Sequence, residues 1–179
     1  SPMLSLGNVY SMEELRDWKT GLQKLLNDEK PEYVCELKID GLALSILYEK
    51  GELQAGVTRG DGSQGDEITP NLKTLSKLPL KLESPLDLEV RGEVYLSKKH
   101  FSELNQRRQL TQEPEFKNPR NAAAGSVRML DSNEVRRRKL DLFVYLLADG
   151  QLKPKHSENL KLLKGLQFPV NPETKTCKN

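Results

Sequence analysis

The chain has 179 residues, of which 36% are hydrophobic, 30% charged and only 6% aromatic, with a formal net charge of +2. That length fits one domain with a real core, and the balance excludes the low-hydrophobicity, high-net-charge class of disordered chains. So small a net charge says nothing about partners, and no apolar run reaches membrane-spanning length or reads as a secretory leader.

Ser11-Met12-Glu13-Glu14 reads as a capping box. Met12, Leu15, Trp18, Leu22, Leu25 and Leu26 follow as an apolar stripe on a helix ending near Asn27. Strand patterns come next at 33–38 and 42–48. Glu49 to Glu52 forms a turn, and 53–58 is the return strand of a hairpin. A loop dense in Gly and Asp runs from Arg59 to Asp66. Residues 86–96 are a strand with Leu88, Val90 and Val94 on one face, and 98–108 a short helix. Thr111 to Pro119 is a polar loop. Residues 120–130 are an Ala-rich helix, 140–147 an apolar strand and 157–166 a last helix. Long strands mixed irregularly with helices predict an α+β fold. Cys35 and Cys177 lie far apart in sequence and have no Cys or His neighbour at metal spacing, so neither a metal site nor a disulfide framework is expected, and a reducing cytoplasm is the default.

Chemistry concentrates around Lys38. Alternation along an extended chain places Glu36, Lys38 and Asp40 on one side, with Gly41 following where a backbone turns tightly or lets a ligand approach. Such a row is either a solvated strand edge or a lysine poised as nucleophile or phosphate partner. A lysine attacks only after losing its proton, and the two carboxylates oppose that loss by stabilising the ammonium. A cation is therefore expected to offset them: Arg59, a magnesium ion or a positive group on the substrate. Glu89, Arg91 and Glu93 share the opposite face from Leu88, Val90 and Val94. Arg120 and Arg128 are eight apart on a helix, close to one face. The run Arg136-Arg137-Arg138-Lys139 is either a solvated surface or a contact to a nucleic-acid backbone. His100 and His156 receive no role.

Lys38-Ile39-Asp40-Gly41 matches the Lys-x-Asp-Gly signature of covalent nucleotidyltransferases, and Cys35 to Ala43 extends the match. Four more blocks agree in order: Ser5-Leu6-Gly7-Asn8, Thr58-Arg59-Gly60-Asp61-Gly62, Val90-Arg91-Gly92-Glu93-Val94, and Asn118 through Ser126. Together they resemble the adenylation domain of bacterial NAD-dependent DNA ligases over essentially the whole chain. The resemblance implies a nucleotidyltransferase (ATP-grasp-like) fold of mixed and antiparallel sheets flanked by helices, C-terminally truncated here. It implies that Lys38 takes AMP from NAD, with Asp40 beside it, and that the AMP then activates the 5′-phosphate of nicked double-stranded DNA for sealing in replication and repair.

By the same resemblance, Ser5, Leu6, Glu36, Arg59, Glu93 and Tyr145 bind the nucleotide. Glu36 reads the adenine edge, Tyr145 stacks on the base, and Gly92 leaves room for it. Arg120 and Arg128 contact DNA. Magnesium assists catalysis. Zinc belongs to the longer parent, whose nicotinamide-mononucleotide-binding, oligonucleotide-binding, zinc, helix-hairpin-helix and BRCT domains are not found in residues 1–179. A cytoplasmic monomer that neither seals nicks alone nor adenylates efficiently is expected. Two other readings are an ATP- or GTP-dependent nucleotidyltransferase, against which the Asn118–Ser126 block argues, and a non-catalytic DNA-binding module.

Overall fold

The computed structural model describes residues 7–27, 31–61 and 64–177. The elements in order are α1 (Met12–Leu25), β1 (Tyr33–Cys35), β2 (Leu42–Glu49), β3 (Glu52–Thr58), α2 (Thr69–Leu72), β4 (Leu88–Tyr95), α3 (Lys98–Leu110), α4 (Pro119–Val127), α5 (Ser132–Arg137), β5 (Asp141–Asp149), α6 (His156–Gly165) and β6 (Lys175–Cys177). β3-β2-β4-β5 form one sheet and β1-β6 a second, with every described pairing antiparallel. The antiparallel sheets of the expected fold are thus present among the described residues, which include no parallel pairing.

Period-two patterning makes the larger sheet one-sided. Leu44, Ile46 and Tyr48 of β2 are fully buried, as are Val90 and Val94 of β4. Ser45 and Glu89 between them point to the other face, where the serine hydroxyl donates to Glu89 Oε1 at 2.7 Å. A one-residue slip would put each buried side chain into water, so this pattern fixes the register. The β2–β3 hairpin turns through Lys50 and Gly51, both at positive φ (49° and 80°), the geometry that matches strand twist. Helices α2, α4 and α6 cover strands of this sheet. Asn71 of α2 donates to the Val127 and Met129 carbonyls, both at 2.7 Å, and accepts from Ser132 at 2.9 Å, tying α2 to α4 and α5 through a buried amide.

Several expectations shift. Ser11 Oγ accepts from Glu14 N at 3.1 Å as a capping box requires, but the Glu14 carboxylate reaches back to Tyr10 N at 2.7 Å. The apolar stripe of α1 is not core: the helix buries no residue, and Trp18, half exposed, stacks at a tilt near Tyr33, with ring centroids 5.9 Å apart. The strand expected over 33–38 stops at Cys35, because its partner β6 is three residues long. β6 itself, α2 and α5 are too short and too polar for periodicity to reveal. The two cysteines, distant in sequence, end with their Sγ atoms 3.5 Å apart across the β1–β6 pair.

Candidate active site

β1 delivers the chain to residues 36–40, which have no regular structure, before β2 begins at Leu42. Gly41 makes that junction possible. A Cβ there would lie 2.1 Å from the Val94 carbonyl oxygen, so only glycine lets the backbone pass this close to β4. The Gly41 N–H donates to Glu93 Oε1 at 3.3 Å. This folds the Lys38 loop over the polar face of β4. Burial pushes the Glu93 carboxyl above its ordinary range; the Gly41 N–H and the charges of Lys38 and Arg120 pull it down, and Asp40 adds to the rise. Lys38, Asp40, Glu93 and Arg120 therefore share one electrostatic neighbourhood.

Arg91, Glu89 and Tyr145 continue this polar face. Arg91 is buried, and its Nε lies 3.3 Å from Glu89 Oε1. Burial raises the Tyr145 hydroxyl above its ordinary value. Glu93 adds to that, while Arg91 and Arg59 oppose it, so the tyrosine sits among these three charges. The Arg59 backbone N–H donates to the Ala43 carbonyl at 2.9 Å, fixing the start of the glycine-rich loop beside β2. Gly92 has a packing role that the sequence reading did not assign. A Cβ there would meet the Phe143 carbonyl oxygen at 2.6 Å, so the glycine is required by the β4–β5 pairing itself.

Each of the two arginines expected at DNA meets a carboxylate in this structure. Arg120 Nη1 lies 3.1 Å from Asp40 Oδ1, and Arg128 Nε lies 2.7 Å from Asp66 Oδ2. Arg120 belongs to the first turn of α4 and Arg128 caps its end, so the helix bridges the Lys38 loop and the glycine-rich loop. Both pairs are solvent-exposed, and contacts of this kind contribute about 0.2–1 kcal/mol. Their value is in placement. The basic run stays mostly at the surface: Arg136, Arg137 and Lys139 are exposed and only Arg138 is half-buried. Arg137 pairs with Glu134, Arg138 donates to Ser126 Oγ at 3.0 Å and lies over the Phe116 ring, and Lys139 approaches Glu103 at 4.0 Å.

Glu36 departs from the expected row. Its Oε2 lies 2.9 Å from His156 Nε2 at the start of α6, while Asp40 turns toward α4. The sequence assigned no role to His156, and nothing local could have found it, since 120 positions separate the partners. The flanking carboxylates thus meet Arg120 and His156, neither of them among the expected cations. Ser5 and Leu6 lie outside the described residues. Among the described residues no group of three or more His, Cys, Asp or Glu side chains is placed to hold a metal ion. No described helix is long and apolar enough to cross a membrane.

The family model for the NAD-dependent DNA ligase adenylation domain matches residues 1–179. DNA ligases of Bacillus thuringiensis (strain Al Hakam) and Bacillus mycoides (strain KBAB4) are each 49% identical over 179 residues, which is 99% of this chain and 27% of each ligase. The chain thus spans about a quarter of the length of the curated relatives it matches. A lysine loop anchored on Glu93, an arginine-bracketed α4 and a match from end to end agree: the chain belongs to the NAD-dependent DNA ligase adenylation domain family.

Proposed function

We propose that Lys38 is the nucleophile that takes AMP from NAD, in a nucleotidyltransferase fold of the ATP-grasp-like kind. In this step the deprotonated Lys38 Nζ forms a bond to the α-phosphorus. The bond from that phosphorus to the bridging oxygen breaks, and nicotinamide mononucleotide leaves with the electron pair. The AMP then passes to the 5′-phosphate of nicked duplex DNA, and the 3′-hydroxyl displaces it to seal the strand. Those later steps belong to the longer relatives, of which this chain matches 27%.

One observation carries the reading. The Gly41 N–H to Glu93 contact closes the Lys38 loop onto a polar sheet face that already holds Arg59, Arg91 and Tyr145. Phosphoryl-type transfer is mostly positioning plus charge stabilisation, and this face supplies both. Arg120 on Asp40 and His156 on Glu36 address the electrostatic problem, because each flanking carboxylate has a partner of its own other than Lys38. Arg59 supplies a planar fork for phosphate oxygens, Tyr145 a ring for the base, and Glu93 and Glu36 acceptors for the nucleoside. Ser5 and Leu6, outside the described residues, are assigned to the nucleotide by the family resemblance alone. Arg120 and Arg128 reach DNA phosphates by exchanging Asp40 and Asp66 for them. Magnesium enters with the phosphates, and no step is assigned to it; zinc is assigned to the longer relatives.

The test is peptide mass spectrometry after incubation with NAD and, separately, with ATP. The expected result is a slow AMP adduct from NAD, confined to Lys38 and absent in Lys38→Arg. An adduct from ATP alone, or on another residue, overturns the reading.

A further inference from the structure

Glu36 lies just beyond β1, in a stretch without regular structure, so no strand pairing fixes its side chain. His156 is the first residue of α6, whose Leu160 and Leu163 are buried in the core. The helix is therefore the rigid member and the loop the adjustable one. The contact is 2.9 Å between His156 Nε2 and Glu36 Oε2, with each side chain about a third exposed or less (34% and 26%). The neighbouring Lys155 lies 3.7 Å from Glu32, so consecutive residues of one segment hold carboxylates on both flanks of β1.

An ionised carboxylate only accepts hydrogen bonds. With Nε2–H donating to Oε2, the remaining oxygen, Oε1, is left to accept from a ligand. An acceptor held in one orientation distinguishes a purine with an amine at its six position from one with a carbonyl there. The amine donates to it, whereas the carbonyl presents a second acceptor and leaves both groups unpaired.

We propose that His156 is a specificity-determining positioning residue: it holds Glu36 by Oε2 so that Oε1 reads the six-amino group of adenine. This rests on the reading that Glu36 meets the adenine edge. It adds a residue on another element that sets how sharply the edge is read.

AMP and IMP are the probes, titrated into the whole chain and followed by NMR chemical shifts. Wild type is expected to bind AMP roughly tenfold or more tighter than IMP, the ratio of one charge-assisted hydrogen bond. Glu36→Gln, whose amide can turn either a donor or an acceptor to the base, brings the ratio toward one. His156→Ala lowers it several-fold through weaker AMP binding, while His156→Gln, with an amide N–H to offer, retains most of it. If wild type fails to prefer AMP, or Glu36→Gln leaves the ratio intact, the reading of Glu36 falls and the inference with it. If Glu36→Gln collapses the ratio and His156→Ala does not, the inference alone falls. Equal loss of both ligands in His156→Ala also overturns it, because that marks a merely structural contact.

Discussion

Replacing Gly41 by alanine tests the architecture of the lysine loop most directly. The added Cβ would sit 2.1 Å from the Val94 carbonyl oxygen, 2.9 Å from its carbon and 3.1 Å from Glu93 Cγ. Real Cβ contacts essentially never fall below 3.0 Å, so the backbone must part by about 0.9 Å (3.0 less 2.1). The obstacle is main chain inside the β2–β4 ladder and cannot rotate away. Overpacking of this kind costs about 1–3 kcal/mol, which in a domain of this size lowers the melting temperature by roughly 2–12 °C. The same displacement stretches the Gly41–Glu93 hydrogen bond, already 3.3 Å, and moves Lys38 with it. A misplacement near 1 Å costs about a hundredfold in rate, so adduct formation at Lys38 should fall far more than folding does. Gly21→Ala serves as control: nothing lies within 4 Å of that added carbon, and a helical alanine stabilises by about 0.5–1 kcal/mol. If Gly41→Ala melts with wild type and loads AMP normally, the close approach to β4 does not hold the loop.

Two further outcomes follow from the same geometry. Because burial raises the Glu93 carboxyl, the folded protein keeps a proton that the unfolded chain has already released, and stability falls as pH rises from the ordinary carboxylate range through the raised value. Glu93→Gln removes that fall while keeping a carbonyl oxygen for Gly41; its melting temperature should gain on wild type as pH rises from the ordinary carboxylate range, and a pH-independent difference refutes the assignment. The Cys35 and Cys177 thiols, 3.5 Å apart, need to close to about 2.05 Å to bond, and the thiol–thiol contact between them raises Cys35 above its ordinary value. Diamide should therefore couple them within one chain, with loss of two hydrogens by intact mass, faster at higher pH and blocked by Cys35→Ser or Cys177→Ser; disulfides formed only between chains refute the pairing.

Much of this protein was legible without coordinates. The β2–β3 hairpin was, because a turn at Lys50-Gly51 and alternating apolar residues are local signals. The polar row of β4 was legible as well: alternation states which residues share a face whatever lies opposite. The Lys38 block and the family it belongs to were carried by ordered short strings, which need no fold to be recognised.

Other features depend on long-range closure, which periodicity does not encode. The stripe on α1 has helical spacing, yet spacing cannot say whether a neighbour covers it, and among the described residues none buries it. The row of Glu36, Lys38 and Asp40 looked like one face of a strand. It splits because β1 ends at Cys35, leaving a loop whose carboxylates turn to different helices. Arg120 and Arg128 could be placed on one helix from their spacing, but their carboxylate partners, 80 and 62 positions away, are set by how α4 packs against the sheet. Sequence by itself determined which residues are chemically equipped and which faces alternate, because those are properties of neighbours along the chain. Tertiary structure alone decided which charges meet, since His156 and Arg120 reach Glu36 and Asp40 only after the helices dock on the sheet.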